Sequence, residues 1–377
     1  MMMTTTMGRR FVGMTVALGI TLGAPAAALA KNQYVYVHDR SIGGGIYAWV
    51  LDKNGGLTSV AGSPFPLVDQ LTDPNDTCGG NCETMAYSPK RKTLYTGGPT
   101  GVSGWTVNKD GTLTSVAGSP FDPGAGGNFF GTGVVEMGKR VFVYAASYVD
   151  GGVYAWETQS DGSLTELSAS PFSSGLFADG LATRKKFVFV ANEGSDVIAS
   201  SISSWVAQKD GTLLPAPGSP FTPLGADFIY NTTPDQRGKV LYADDGSNGI
   251  RAFAIDKKTA ALTELTDSPF AASAGGAGVL VTKKFAYAVG FEDTDNALQP
   301  FKVEKKGALT ATGIIDGSPV SIDTFTADKS GKRIVVAGYD GVATATIDDK
   351  KDGDLAGLDL EGFVVETNPN AVVMVKR

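Results

Sequence analysis

The stretch FVFVANEGSDVIASSISSWVAQKDGTLLPAPGSPF, at residues 187–221, contains a unit that the chain repeats. It begins with an alternating apolar run, crosses a polar loop, and continues with a second apolar run that ends near Val206. Asp210 and Gly211 then form a dipeptide typical of a tight turn between antiparallel strands. Helical periodicity is almost absent, so the pattern predicts short β-strands.

The closing Ser-Pro-Phe of this unit recurs at a nearly constant spacing. Its copies lie at Ser63–Phe65, Ser119–Phe121, Ser170–Phe172, Ser219–Phe221 and Ser268–Phe270, with a variant at Ser318–Val320 and a degenerate copy at Glu361–Phe363. The prolines of consecutive copies, from Pro64 to Pro319, lie 49 to 56 residues apart. A fixed period of this size indicates a repeat architecture. Seven repeats of four short antiparallel strands predict an all-β fold, a seven-bladed β-propeller.

The two ends of the repeat region predict how the ring closes. Tyr34–Val37 matches the second strand of the unit, so the first blade lacks its inner strand. The tail Ala371–Arg377 matches the first strand of the unit. We therefore expect residues 31–377 to form one domain whose C-terminal strand completes the N-terminal blade and closes the ring.

Residues 1–30 have the pattern of a secretory signal peptide. Arg9 and Arg10 precede an apolar stretch at Phe11–Leu22, and small residues end at Ala30. This order predicts cleavage after Ala30 and export to the periplasm or the medium, and the arginine pair leaves twin-arginine export open. A membrane anchor is the alternative, but the apolar stretch is shorter than the ~20 residues that span a bilayer. No later stretch is long enough to cross a membrane.

The only two cysteines are Cys78 and Cys82, in the long loop Pro66–Glu83. An oxidising compartment favours a disulfide between them, which would pin this loop. A redox pair or half of a metal site are the alternatives. Redox pairs usually have two intervening residues, and no second cysteine pair or histidine cluster is present for zinc.

The charged residues are divided between two sets of connections. Almost all lysines and arginines of the mature chain lie in the turns that join first to second strands and third to fourth strands. The exceptions are Lys31, Arg40, Arg251 and Lys302. The opposite loops carry acids, at Asp69, Asp73, Asp76, Asp122, Asp150, Glu193, Asp196, Asp244, Asp245, Glu292, Asp293, Asp295 and Asp340. The pattern predicts a basic face and an acidic loop face. The signal peptide removes two arginines and no acid, which takes the net charge from −7 to −9. Such a protein is poorly suited to nucleic acid, whose binding depends on Lys and Arg.

Strand runs such as Phe187–Asn192 and turns such as Lys109–Thr114, with Ser-Pro-Phe closing the blades, resemble the lactonase-type propellers. This YVTN-repeat family includes 6-phosphogluconolactonases and carboxymuconate-lactonizing enzymes, and the resemblance covers residues 31–377. It implies an active site near the central channel, with His, Glu and Arg on the loop face. The weak catalytic candidates are His38, the only histidine, and Arg40. A lactone hydrolase needs a general base and a group that stabilises the developing oxyanion.

A second set of polar residues lies near the start of the inner strands, where the channel opens. The candidate ligand-binding residues there are Glu83, Asp179, Asn231, Asp323 and Asn370, and Asp244 and Asp245 of the acidic loop face are further candidates. Carboxylate and amide oxygens are the ligands that calcium prefers, so calcium could bind at Glu83, Asp179 and Asp323. A hydrated channel without an ion or any other cofactor is the alternative. Asp348–Asp359 loosely matches a calcium-binding loop, but it aligns with the hairpin turns of other blades and is expected to be a turn.

The sequence alone favours a non-catalytic binding or scaffold module. Its acidic loop face would engage a carbohydrate, a metal ion or a partner protein, with the loop Pro66–Glu83 as the specificity element. The alternative is a lactone hydrolase or cyclase, 6-phosphogluconolactonase-like or calcium-dependent. A third interpretation is a structural component of the cell surface. These hypotheses differ in whether they expect ligand binding, turnover or concentration-dependent assembly.

Overall fold

A computed structural model describes residues 33–39, 43–69, 85–195, 197–246, 248–272, 278–289, 298–313, 322–338, 341–359 and 369–376. Residues 1–30, both cysteines and the last two copies of the closing tripeptide lie outside these residues. The described residues form seven antiparallel sheets, and the strands of each sheet follow one another along the chain, apart from the closing strand. Each sheet is one blade of a ring. The predicted seven-bladed β-propeller is therefore confirmed.

Blades one to three contain these strands. Blade one has β1 (Gln33–Asp39), β2 (Gly45–Leu51), β3 (Leu57–Ser59) and β4 (Phe65–Pro66). Blade two has β5 (Met85–Ser88), β6 (Thr93–Gly97), β7 (Val102–Val107) and β8 (Leu113–Ser115). Blade three has β9 (Phe129–Met137), β10 (Arg140–Ser147), β11 (Gly152–Thr158), β12 (Leu164–Glu166) and β13 (Phe172–Ser173).

Blades four to seven continue the pattern. Blade four has β14 (Ala178–Arg184), β15 (Phe187–Asn192), β16 (Ser201–Ala207) and β17 (Leu213–Pro215). Blade five has β18 (Thr232–Pro234), β19 (Val240–Asp245), β20 (Gly249–Ile255) and β21 (Leu262–Glu264). Blade six has β22 (Gly278–Val281), β23 (Phe285–Val289), β24 (Gln299–Val303), a 3₁₀ turn at Lys305–Gly307 and β25 (Leu309–Ala311). Blade seven has β26 (Thr324–Ala327), β27 (Arg333–Gly338), β28 (Gly341–Asp348) and β29 (Asp354–Asp359).

The C-terminal strand β30 (Pro369–Lys376) pairs with β1 and supplies the inner strand of blade one. Its register runs from Gln33 opposite Lys376 to Asp39 opposite Pro369, with an irregularity after His38. The ring closes through this strand, as the sequence predicts. No helix among the described residues has the length and hydropathy needed to cross a bilayer.

The Ser-Pro-Phe tripeptide attaches the outer edge of a blade to its third strand. The Ser219 hydroxyl accepts a hydrogen bond from Ser204 N at 2.9 Å, and Phe221 exchanges backbone hydrogen bonds with Ile202. The same serine contact recurs in blades one, two, three and five, at Ser63, Ser119, Ser170 and Ser268. The hydroxyl thus satisfies a strand N–H where the backbone has left the ladder, which explains the recurrence of the motif.

Seven of the hydrophobic clusters lie between adjacent blades, one at each junction. A hydroxyl hydrogen bond, buried or partly buried, accompanies each cluster. In blade three, Tyr144 of the second strand donates to the Gly211 carbonyl in the hairpin turn of blade four, at 2.8 Å. The equivalent tyrosines Tyr36, Tyr95, Tyr242 and Tyr287 make the same contact with their own neighbours. Hydroxyls of Ser204 and Thr344 serve the other two junctions.

We expect the turn glycines at these junctions to resist substitution. Gly211 has φ +92°, and an added Cβ would lie 2.5 Å from the fully buried Phe142 ring. Gly211→Ala should therefore add an overpacking cost of about 1–3 kcal/mol to the backbone strain. Gly138→Ala is the matched control, because Gly138 also has positive φ but faces open space. Chemical denaturation of both variants tests this, and equal losses of stability would contradict the packing argument.

Candidate functional site

The inner strands of all seven blades surround a central cavity of about 450 Å³. Its polar lining side chains are Tyr87, Thr132, Thr183, Asn231, Thr232, Thr233, Thr324 and Thr326. Among the described residues, the lining contains no Asp, Glu, Lys or Arg. The channel is therefore neutral and polar, and the charged groups of the loop face lie outside it.

An aromatic cluster lies on the loop face, at blades three and four. The Tyr148 ring packs between those of Phe130 and Phe177, with centroid distances of 5.2 and 5.3 Å. Phe130 is buried, whereas the other two rings are half-buried. Tyr148 follows β10, and Phe177 precedes the inner strand β14. The turns leaving one strand and entering the next blade thus bring these rings together.

Glu193 is the carboxylate attached to this cluster. The Tyr148 hydroxyl donates a hydrogen bond of 2.8 Å to Glu193 Oε2, and Glu193 N donates to the Phe177 carbonyl at 3.0 Å. The Ser200 hydroxyl donates to the Glu193 carbonyl. Burial raises the pKa of Glu193 above its usual range, against the opposing effect of the Tyr148 hydrogen bond. A carboxylate with a raised pKa is a stronger base than an exposed one, as general base catalysis requires.

Asp179 and Tyr230 bring further negative charge and a hydroxyl to the same region. Burial raises the pKa of Tyr230 to about 12, and the charges of Glu193 and Asp179 add to this effect. The Tyr148 pKa is also raised, by burial and by its bond to Glu193. Both phenols therefore stay protonated at neutral pH and can donate hydrogen bonds. We call Tyr148, Asp179, Glu193 and Tyr230, with the rings of Phe130 and Phe177, the loop-face site.

Asp244, one of the predicted ligands, binds the backbone just before the inner strand of blade five. Its Oδ1 accepts hydrogen bonds from Tyr230 N and Asn231 N, at 2.9 and 2.8 Å. The side chain is fully buried, and Oδ2 has no hydrogen-bond partner among the described residues. Burial raises the pKa of Asp244 to about 8, although the backbone N–H groups act in the opposite direction.

Asp245 and Arg251 form a buried ion pair beside this strand. Arg251 also contacts Glu264 Oε1 at 2.7 Å and donates to the Leu224 carbonyl at 3.1 Å. Asp245 accepts a further hydrogen bond from Asp227 N. These contacts occupy the guanidinium, so Arg251 holds the loops of blade five.

His38 is buried between two paired strands of blade one. It lies in β1, opposite Ile46 on one side and Ala371 on the other, and it is 2 % exposed. Arg40, the other catalytic candidate, lies outside the described residues. Burial between two strands leaves His38 without the access to solvent that a general base on the loop face requires.

The remaining predicted ligands are dispersed around the ring. Asp179 lies in β14, the inner strand of blade four, and half-buried Asp323 directly precedes β26, the inner strand of blade seven. These two blades lie almost opposite each other in the ring. Asn231 lines the cavity itself. Glu83, Cys78, Cys82 and the Asn370 side chain lie outside the described residues. The described residues contain no group of three His, Cys, Asp or Glu suited to a metal ion, and the calcium site stays a prediction that depends on Glu83.

No sequence motif marks Tyr148, Tyr230 or the two phenylalanines as site residues. Glu193 is one of many acids predicted for the loop face, and nothing in its spacing marks it. Phe130 lies at the start of β9, the other residues lie in loops next to strand ends, and together they come from three different blades. The available signal is the occurrence of aromatic residues beside strand ends in consecutive repeats.

The fold and part of the sequence match known propellers. The family model described as lactonase, 7-bladed beta-propeller matches residues 231–369. A candidate 6-phosphogluconolactonase from Bacteroides fragilis has a TM-score of 0.69 at 16% identity, covering 93% of this chain and 100% of that one. The periplasmic gluconolactonase of Pseudomonas aeruginosa has a TM-score of 0.65 at 16% identity, covering 92% and 99%.

A protein from Lactobacillus plantarum has a TM-score of 0.65 at 19% identity, covering 92% of this chain and 100% of that one. No curated protein sequence matches the chain. At these identities the structural similarity concerns the fold. The protein is a seven-bladed β-propeller, as its repeats predict, and residues 231–369 are similar to the lactonase family of such propellers.

The buried Asp244 carboxyl predicts a pH-dependent stability. Its pKa is about 8 in the folded protein against an ordinary 3.8. The folded state therefore retains a proton that the unfolded chain releases, and this contribution is full at low pH and lost as pH rises through about 8. Asp244→Asn keeps the Oδ1 acceptor and cannot ionise, so its melting temperature should fall less across this window.

The control for this measurement is Asp245→Asn. This change breaks the pair with Arg251 and should destabilise the protein at every pH in the series. Thermal melts of the three proteins from about pH 4 to about pH 9 distinguish the two effects. Parallel profiles for the parent and Asp244→Asn would show that Asp244 does not titrate in this range.

Proposed function

We propose that the protein hydrolyses a lactone at the loop-face site, with Glu193 as the general base. The half-buried Glu193–Tyr148 pair, enclosed by aromatic rings at the end of the inner strands, carries this proposal. The similarity to lactonase-type propellers supports it. The sequence alone favours a non-catalytic binding module, and both the comparisons and this site favour the hydrolase alternative.

In the proposed reaction, Glu193 accepts a proton from a water molecule as the water oxygen bonds to the lactone carbonyl carbon. The carbonyl oxygen then carries negative charge, and the Tyr230 hydroxyl is the nearby donor that could stabilise it. The ring C–O bond breaks, and the leaving alkoxide takes the proton from Glu193. The product is the open hydroxy acid. Tyr148 is a positioning residue, because its hydroxyl fixes one carboxylate oxygen.

The charges around the site favour an uncharged substrate. Asp179, Glu193 and Asp227 all act on the pKa of Tyr230, so the region is negative. Arg251, the described arginine on the loop side, is buried in contacts with acids. A phosphate group would be repelled there. We therefore propose an unphosphorylated sugar lactone or a similarly uncharged lactone as the substrate class.

Export is proposed on two supports, the signal-peptide pattern of residues 1–30 and the periplasmic location of the gluconolactonase from Pseudomonas aeruginosa. The protein would then meet lactones outside the cytoplasm. The third interpretation, a structural component of the cell surface, stays a prediction.

The test is acid release from glucono-δ-lactone and its 6-phosphate, measured above the spontaneous rate. Glu193→Gln should lower kcat by about 10²–10⁴-fold, the usual contribution of a general base. Asp122→Asn is the matched control, since Asp122 is an exposed acid of the loop face bonded to its own turn at Gly124 N. It should leave the rate unchanged.

Tyr148→Phe tests the positioning role separately. Losing the hydroxyl donor should raise the pKa of Glu193 further, so the rising limb of the pH–rate profile should move to higher pH. Unchanged turnover in Glu193→Gln would place the base elsewhere. If neither lactone is hydrolysed faster than in buffer, the non-catalytic binding module becomes the better explanation.

A further inference from the structure

The face opposite the loop-face site carries lysines all around the ring. We define the basic face by the turns between first and second strands and between third and fourth strands, together with the end of the closing strand β30. Its described lysines are Lys53, Lys90, Lys92, Lys109, Lys139, Lys185, Lys186, Lys209, Lys239, Lys257, Lys258, Lys283, Lys284, Lys305, Lys306, Lys329, Lys332, Lys350, Lys351 and Lys376. All are exposed, and every blade contributes at least one.

The arginines of this face serve a different purpose. Arg140 bonds Glu157 and the Lys209 carbonyl in the next blade, and Arg333 bonds carbonyls of Asp52 and Lys53 across the closing junction. Arg91 reaches the Thr158 carbonyl in the same manner. These guanidinium groups therefore hold adjacent blades together. Among the described lysines, Lys90, Lys185 and Lys284 also bond across a junction, with the Gly138 carbonyl, the Arg237 carbonyl and the Asp349 carboxylate. The other described lysines make no such bond and are available for contacts outside the molecule.

Few of these lysines are neutralised within the protein. Among the described residues, only Lys90 and Lys284 of the basic face make ion pairs, with Glu136 at 3.5 Å and Asp349 at 2.6 Å. The aspartates of the same turns bond their own backbone, as Asp210 does with Thr212 N and Asp256 with Lys258 N. Their carboxylates are held against the turns, whereas lysine carries its charge on a long flexible stem.

We propose that the basic face docks on an anionic lipid surface. The net charge of the whole chain is −7, so attraction to such a surface depends on the separation of charge between the faces. The lysines lie in turns on one side of a ring and are contributed by all seven blades. This annular distribution matches a planar array of headgroups better than a single polyanionic strand, which would contact one line of residues.

Screening limits the attraction to groups that approach within a Debye length, about 8 Å at physiological salt. Lysines near an anionic membrane each strengthen binding about fivefold under such conditions. Several must therefore act together, which the ring arrangement allows. Docking in this orientation turns the loop-face site away from the lipid. The proposal does not depend on the proposed lactone hydrolysis.

The experiment measures cosedimentation of the purified protein with phosphatidylcholine vesicles that contain about one-third phosphatidylglycerol. The main variant is the triple change Lys209→Gln, Lys257→Gln and Lys258→Gln, in the hairpin turns of blades four and five. None of these side chains makes a described ion pair. We expect a loss of about a hundredfold in the partition coefficient. Unchanged melting temperature confirms that the variant is folded.

Lys302→Gln is the matched control, because Lys302 is an exposed lysine in β24, outside the turns of the basic face. It should bind vesicles as the parent does. Pure phosphatidylcholine vesicles and high salt should abolish binding of every variant. Equal binding by the parent and the triple variant would overturn the proposal. So would binding to soluble heparin without binding to vesicles, or salt-sensitive self-association in which a second copy covers the basic face.

Discussion

The hydroxyl hydrogen bond from one blade to the hairpin turn of the next is the contact on which the ring depends. A single four-stranded sheet cannot bury both of its apolar faces, and each blade does so only between two neighbours. At five junctions a tyrosine in the second strand reaches a turn carbonyl, and at two a shorter hydroxyl from the third strand does so. A buried carbonyl without a donor is unfavourable, so the bond fixes the distance and rotation between blades.

The sequence predicts this architecture well because the same pattern of strands and turns recurs in successive repeats. Hairpin dipeptides such as Asp210-Gly211 mark the turns, and the chain ends show which strand is missing from blade one. The tripeptide that sets the period is explained only by the structure. Ser219 replaces a backbone acceptor for Ser204 N where the fourth strand leaves the ladder, and Phe221 then returns to it. The Ser-Pro-Phe motif therefore predicts the period of the repeat, and only the structure shows the contacts that it makes.

The loop-face site is poorly predicted because its members belong to different repeats. Tyr148, Glu193 and Tyr230 are separated by many residues and meet only when three blades are packed side by side. His38 is a catalytic candidate in the sequence because it is the only histidine. In the structure it pairs with two neighbouring strands and is buried away from solvent. Asp244 also differs from its sequence-based interpretation, since its carboxylate bonds backbone at Tyr230 and Asn231. The burial that raises the pKa of Glu193 and Asp244 is a property of the assembled ring and has no sequence signal.

The junction contact also determines where the chain can grow. A residue inserted into a hairpin turn would displace both the carbonyl that meets Tyr144 and the glycine that lies against Phe142. The described connections on the opposite side share no such common contact, and one of them, at Gly126 and Gly127, is restrained in a similar way by the Tyr154 ring and the Ser147 hydroxyl. The first interval between the motif prolines, from Pro64 to Pro120, is the longest, and the sequence predicts that its loop Pro66–Glu83 lies on that side. We therefore expect differences in loop length mainly on the loop face, opposite the hairpin turns. A new recognition loop could be inserted there without changing the packing between blades.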